Sequence, residues 1–181
     1  MPLDSVFDRC FGPLNGKPCW QARRGHGSFI TLEFGEPSLE IREPSEPKAD
    51  ASYTVRKLLS RRLVTIRGQW HLWVYCCAWT IFNNSEQLAH SEDNDEAIAS
   101  AIGFLDGQAL IAASVDNSAN SQFTFDLGGV LTTSPYDEDS EQWMLYQPDG
   151  MVLSLRADGH YSHSTSFTEH GAERWLPAWK P

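Results

Sequence analysis

The chain has 181 residues, seven of them Trp, with a hydrophobic share of 41%, an aromatic share of 12% and a formal net charge of −10. That length accommodates one domain with a full core and excludes two ordinary domains without a clear linker, and the composition excludes a disordered chain. The acidic balance argues against nucleic acid as a partner, because a phosphate backbone is normally met by a basic face, and no apolar run approaches the ~20 residues that cross a bilayer.

In chain order, Asp4 or Ser5 is expected to cap a short helical turn in which Val6, Phe7, Cys10 and Phe11 share one side, and Gly12-Pro13 ends it. Residues 18–23 and 28–34 read as two strands around a Gly-containing connection. Leu39 and Ile41 alternate with Glu40 and Arg42 in a third strand, placed at a sheet edge by Pro37 and Pro44. Residues 43–52 are polar and Pro-bearing, the composition of a mobile surface loop. Segment 53–59 fits a strand or a helix, 62–66 is a strand, and Arg67-Gly68 is expected to fold it back as a hairpin on the stretch that begins at Gln69.

Gln69 to Phe82 is the longest apolar stretch free of Gly, Pro and full charges. A period of two puts Trp70, Leu72, Val74, Cys76, Ala78, Thr80 and Phe82 on one face, and His71, Trp73, Tyr75, Cys77, Trp79 and Ile81 on the other. Both faces are apolar or aromatic, which predicts one central strand covered on both sides.

After Asn83-Asn84 the period becomes 3.6. Ser91 is the expected N-cap, Glu92, Asp93, Asp95 and Glu96 occupy the positive end of the helix dipole, and Ala97, Ile98, Ala101, Ile102 and Leu105 form an apolar stripe that Gly107 terminates. Residues 108–115, 122–127, 130–133, 142–147, 151–156 and 160–163 then read as strands separated by turn residues, with Asp149-Gly150 and Asp158-Gly159 as hairpin signals. The predicted fold class is α+β: a mainly antiparallel β-sheet meander with one principal α-helix packed on the sheet, in a single domain over 1–181. Trp175, Leu176 and Trp179 are expected to dock onto it.

The first residues lack the basic region and apolar core of a secretion signal, so the expected compartment is the cytoplasm. The four Cys are accordingly expected to be reduced and buried, the adjacent Cys76 and Cys77 pointing to opposite faces. No Cys or His spacing matches a metal finger, the acids at 93–96 lack the Gly and distal Glu of a calcium loop, and no hydrolase motif is present, so no metal, cofactor or catalytic residue is assigned.

Two candidate sites remain. Arg24 and His26, on a Gly-containing turn, together with His71, Trp73 and Tyr75 would form an aromatic pocket for a small anionic ligand, provided the first hairpin lies against the His71 face. The simpler alternatives are a solvated turn and ordinary core packing. The acids Glu92, Asp93, Asp95 and Glu96, with Asp137, Glu138, Asp139 and Glu141, would form a surface for a basic protein partner. A binding protein without catalysis is the expected function, and a ligand-binding protein or enzyme built on the aromatic pocket is the alternative.

Gly16-Lys17-Pro18-Cys19-Trp20, Arg24 to Phe29, Trp70-His71-Leu72-Trp73 with Cys76 to Ile81, Phe125 to Gly129 and Leu155 to Gly159 together resemble a family of small, stand-alone, uncharacterised bacterial proteins. That resemblance implies a bacterial origin and carries no activity or catalytic residue. More loosely, a small acidic β-rich chain of this kind resembles the immunity proteins that neutralise secreted bacterial toxins.

Overall fold

The computed structural model describes residues 6–169 and 171–179. The first helix, α1 (Val6–Phe11), turns Phe7, Cys10 and Phe11 inward and passes into a 3₁₀ turn at Gly12–Leu14. The capping residues expected at Asp4 or Ser5 lie outside the described residues. Strands β1 (Cys19–Arg24), β2 (Ile30–Phe34) and β3 (Ser38–Arg42) follow, then helix α2 (Tyr53–Leu59) and strands β4 (Leu63–Arg67), β5 (Trp70–Val74), β6 (Cys77–Asn83) and β7 (Glu86–His90). Helix α3 (Asp95–Leu105) precedes β8 (Leu110–Val115), β9 (Ser121–Phe125), β10 (Gly129–Pro135), β11 (Glu141–Tyr146), β12 (Met151–Arg156), β13 (His160–Thr165) and β14 (Leu176–Pro177).

The fold is α+β and mostly antiparallel, with three α-helices among the described residues, of which α3 is the longest. A seven-stranded sheet runs β1-β2-β5-β11-β12-β13-β14, a five-stranded sheet runs β7-β6-β10-β9-β8, and β3 pairs with β4 in a separate ribbon. Meander connections hold within β8 to β10 and β11 to β14, while β2 with β5, β5 with β11 and β6 with β10 are distant in sequence. The two larger sheets share one core: Leu32, Leu72, Val74, Leu145 and Leu153 face Trp79, Ile81, Phe123, Phe125 and Leu131.

The stretch expected to be one central strand is two strands in two sheets. Cys77 donates its N–H back to the carbonyl of Tyr75 at 3.0 Å, a tight turn that breaks the ladder. Inward residues change from even numbers, Leu72 and Val74, to odd numbers, Cys77, Trp79 and Ile81. Both faces looked apolar because one phase belongs to one sheet and the other phase to its neighbour. Trp79 therefore does not share a face with His71; it is buried, and its indole N–H donates to the Ser28 carbonyl in the turn between β1 and β2 at 2.6 Å.

Helices close the ends of this sandwich. Phe7 and Phe11 of α1 pack edge-on to Trp143 with ring centroids 6.1 and 5.5 Å away, and Phe11 also meets Phe123 of the other sheet. Each such buried side chain contributes roughly 1.5–3 kcal/mol. Helix α3 packs against β1 of one sheet and β6 and β7 of the other. Its N-cap is Asn94, whose side chain accepts from Ala97 N–H, rather than Ser91, whose hydroxyl instead accepts from Trp79 N–H. The apolar stripe is as expected, with Ile98, Ala101, Ile102 and Leu105 buried.

A second correction concerns Arg67-Gly68, which forms no hairpin. Strand β4 pairs with β3 in the register Leu39 to Ile66 and Ile41 to Val64, and the partners of β5 are β2 and β11. Between β4 and β5 the chain bends at Gln69, and a Cβ on Gly68 would sit 2.5 Å from the Phe34 carbonyl oxygen, so only glycine lets β2 come this close. The ribbon follows the β2/β5 pair as a separate two-stranded sheet, set off by bends at Gly35, Glu36 and Gln69. Segment 53–59, open between strand and helix, is a helix capped by Ser52, and 43–52 contains neither helix nor strand. At the other terminus Trp179 lies against Gly159, and Arg156 stacks over Trp175 at 4.6 Å, so the tail docks as expected.

Trp143 is fully buried, donates its indole N–H to Ser121 Oγ at 2.8 Å and touches both sheets and α1. Trp143→Ala is expected to lower the unfolding free energy by about 3–5 kcal/mol, seen as a fall in the urea midpoint by tryptophan-independent circular dichroism.

Candidate functional site

The outer face of the seven-stranded sheet carries a row Glu33, His71, Tyr146 and Val152 across β2, β5, β11 and β12. Glu33 is the unusual member, a carboxylate with only 4% of its side chain exposed. It accepts from Gly68 N–H at 2.9 Å, from Arg67 at 3.1 Å and from His71 Nδ1 at 2.8 Å. Burial alone would raise its pKa, yet the His71 and Gly68 hydrogen bonds and the Arg67 guanidinium outweigh this and hold the carboxyl below its ordinary range. An ionised carboxylate only accepts, so His71 carries its proton on Nδ1. Arg67, 3.4 Å from that nitrogen, shares the carboxylate rather than bonding the ring.

Beside this cluster lies a cavity of about 600 Å³, lined by His71, Trp73, Tyr146, Arg67, Gln69 and Gln147, with the base of the ribbon as its rim. Glu40 on that rim holds Arg67 from the other side at 3.0 Å. The first hairpin does not cover this face; β2 pairs edge to edge with β5, so the hairpin lies beside His71 in the same sheet. Phe29 meets Trp73 and Tyr75 edge-on at 6.2 and 5.7 Å, Trp73 stacks on Tyr75 at 4.7 Å, and His26 reaches Phe29 at 6.4 Å. Of the five expected ligand residues, His71 and Trp73 line this cavity, Tyr75 turns to the next one, and His26 is one ring removed. Arg24 is elsewhere: it pairs with Asp95 at 2.8 Å and donates to the Gly27 carbonyl at 2.5 Å.

The second cavity, of about 330 Å³, is lined by Ser28, Tyr75, Cys76, Glu92, Tyr136 and Asp137. Two acidic segments far apart in sequence meet there. Glu92 and Asp137 line the cavity, Glu138 and Asp139 are exposed on the same loop as Asp137, and Glu141 lies near enough to push up the Tyr75 phenol, whose pKa burial already raises. Asp137 also holds its own loop, accepting from Ser140 N–H at 2.7 Å. Asp93 and Asp95 are engaged instead by His90 N–H at 2.8 Å and by Arg24, and Glu96 stays in the first turn of α3. Tyr136, which sequence patterning did not single out, stands exposed at the rim.

All four Cys are free thiols. Burial pushes Cys19 and Cys77 up to about 12, and Cys76, half-buried, is raised by burial and then by Asp137 and Glu141. High thiol pKa values disfavour the nucleophilic thiolate. Among the described residues no group of three His, Cys, Asp or Glu is placed to hold a metal ion, and no helix is long and apolar enough to cross a membrane. No family, no curated protein and no solved structure matches the chain.

Glu33 was invisible in sequence as a site residue because an acid alternating with Leu32 and Phe34 looks like a solvent-facing position. Its depressed pKa stabilises the fold at pH values above the unfolded carboxyl value of about 4.3, and that contribution is lost as pH falls through the lower folded value. Glu33→Gln is therefore expected to cost about 1–3 kcal/mol at pH 7 and to flatten the loss of stability as pH falls below the unfolded carboxyl value of about 4.3, measured by urea titration across the acid range.

Proposed function

We propose that this protein is a non-catalytic binding module that recognises a basic protein through the acidic cleft at Glu92, Tyr136, Asp137, Glu138, Asp139 and Glu141. The observation that carries this reading is the convergence of two acidic segments, 45 residues apart, on one cavity with an exposed tyrosine. Tyrosine surrounded by charge is a common composition for an interface anchor with a polar rim. The acids steer a cationic partner, and the shallow cavity receives one of its side chains. This role agrees with the resemblance to bacterial immunity proteins, and we place the protein in the bacterial cytoplasm on the same grounds.

The test pairs two columns, one carrying the wild-type protein and one carrying Glu92→Gln/Glu138→Gln/Asp139→Asn, loaded with bacterial lysate at low salt and eluted by a salt ramp. A stoichiometric basic protein retained by the wild type and eluting at least several-fold earlier in salt from the variant is the expected result. Equal retention by both columns would refute the cleft as the site. Asp137 is left intact because it holds its own loop.

The outer-face cavity favours a second reading, a small anionic ligand held by Arg67 and His71 between Trp73 and Tyr146. A ligand there raises the melting temperature by mass action and quenches Trp73 fluorescence in the wild type, with both responses absent in His71→Ala. No response to a broad panel of metabolite anions would remove this reading.

A further inference from the structure

The ribbon of β3 and β4 leaves the β2/β5 pair through bends at Gly35, Glu36 and Gln69, and its two faces differ sharply. In an antiparallel pair, opposite residues share a face. Glu40 and Arg67 therefore belong to the side that continues the Glu33 and His71 row, and they are paired with each other. Leu39, Ile41, Val64 and Ile66 share the other face of the ribbon, and they are 65, 55, 54 and 46% exposed. Helix α2 at the tip buries none of its residues either, and Tyr53, Val55 and Leu58 are exposed there. Contiguous aliphatic surface of this kind marks an interaction site, and a long exposed ribbon needs cover to avoid promiscuous pairing.

Charge indicates which occupant fits. From Ser38 to Arg67 the arm carries Arg42, Lys48, Arg56, Lys57, Arg61, Arg62 and Arg67 against Glu40, Glu43, Glu46 and Asp50, a net charge of +3, which leaves 20 acids against seven Lys and Arg in the rest of the chain. Arg67 lies at the base, paired with Glu33 and Glu40, and Arg62 pairs with Glu43, so the basic charge of the tip rests on Arg56, Lys57 and Arg61, while the body behind it is strongly acidic. The four aliphatic residues themselves are uncharged and self-complementary.

We propose that the ribbon is a dimerisation arm whose occupant is a second copy of this chain. The aliphatic faces of the two ribbons pack together antiparallel across a twofold axis, as an isologous interface requires. In that arrangement each basic tip points toward the acidic body of the partner, so the attraction that a parallel pairing of two basic tips would forfeit is gained twice. The proposal is independent of the acidic-cleft reading, since it uses neither Tyr136 nor the 137–141 loop.

Sedimentation velocity of the intact protein at about 100 µM, a concentration that populates a modest interface, tests it. The wild type is expected at twice its 20.3 kDa, with the dissociation constant rising several-fold between about 50 mM and about 500 mM salt. Ile41→Thr/Val64→Thr keeps β-branched residues at exposed positions, so its melting curve is expected to be unchanged at low micromolar concentration, and it is expected to sediment as a monomer. Lys57→Glu/Arg61→Glu is expected to weaken the dimer at low salt. A monomeric wild type, a dimer that the aliphatic double variant leaves intact, or a dimer that salt and charge reversal leave unaffected would each overturn the proposal.

Discussion

The chain joins its two sheets through a slip of one residue in hydrophobic phase between Val74 and Cys77. Before the slip, even-numbered residues face the core and β5 pairs with β2 and β11; after it, odd-numbered residues do so and β6 pairs with β7 and β10. Because a strand has a side-chain period of two, a single extra residue moves every later side chain to the opposite face. That reversal lets one apolar run of the sequence supply inward residues to two facing sheets. It also leaves Tyr75 and Cys76 half-buried at the seam, where they line the acidic cleft. The cleft exists where it does because the chain changes sheets there.

The other organising consequence lies at the opposite end of β5. There bends at Gly35, Glu36 and Gln69 carry β2 and β5 into the ribbon, whose aliphatic face is exposed. Glu33 anchors this junction. Its buried carboxylate ties Gly68 of the exit, Arg67 of the ribbon and His71 of the sheet into one set of hydrogen bonds. Such a network is costly when incomplete and fixes geometry when satisfied. The outer-face cavity and the direction of the arm are therefore set by the same few residues.

Much of the β architecture was legible in sequence. Asp149-Gly150 and Asp158-Gly159 announce their hairpins because turn chemistry is local, and β12 falls on the expected residues. The stripe of α3 was equally plain, although its cap was not, since Ser91, Asp93 and Asn94 are all competent caps and only the packing of β6 decides among them. Strand β7 escaped notice because Glu86–His90 contains just two apolar residues. The phase slip was hidden by aromatic residues on both sides of it. Helix α2 was ambiguous because a segment with no buried residue has no period imposed on it. For the sites, proximity was the missing information: Glu33 becomes notable only once β2 lies beside β5, and Glu92 meets Asp137 only once both loops close over the seam.

The phase slip is open to a direct measurement of thiol accessibility. In one unbroken strand that buries Leu72 and Val74, Cys76 would point inward and Cys77 outward; the structure has Cys77 buried and Cys76 half-exposed. Labelling of the native protein with a neutral maleimide at mildly alkaline pH, with the modified site located by fragment mass spectrometry, distinguishes the two. Cys76 is expected to label first while Cys77, Cys19 and Cys10 remain protected until the protein is unfolded. Preferential labelling of Cys77 over Cys76 would contradict the slip and, with it, the two-sheet arrangement.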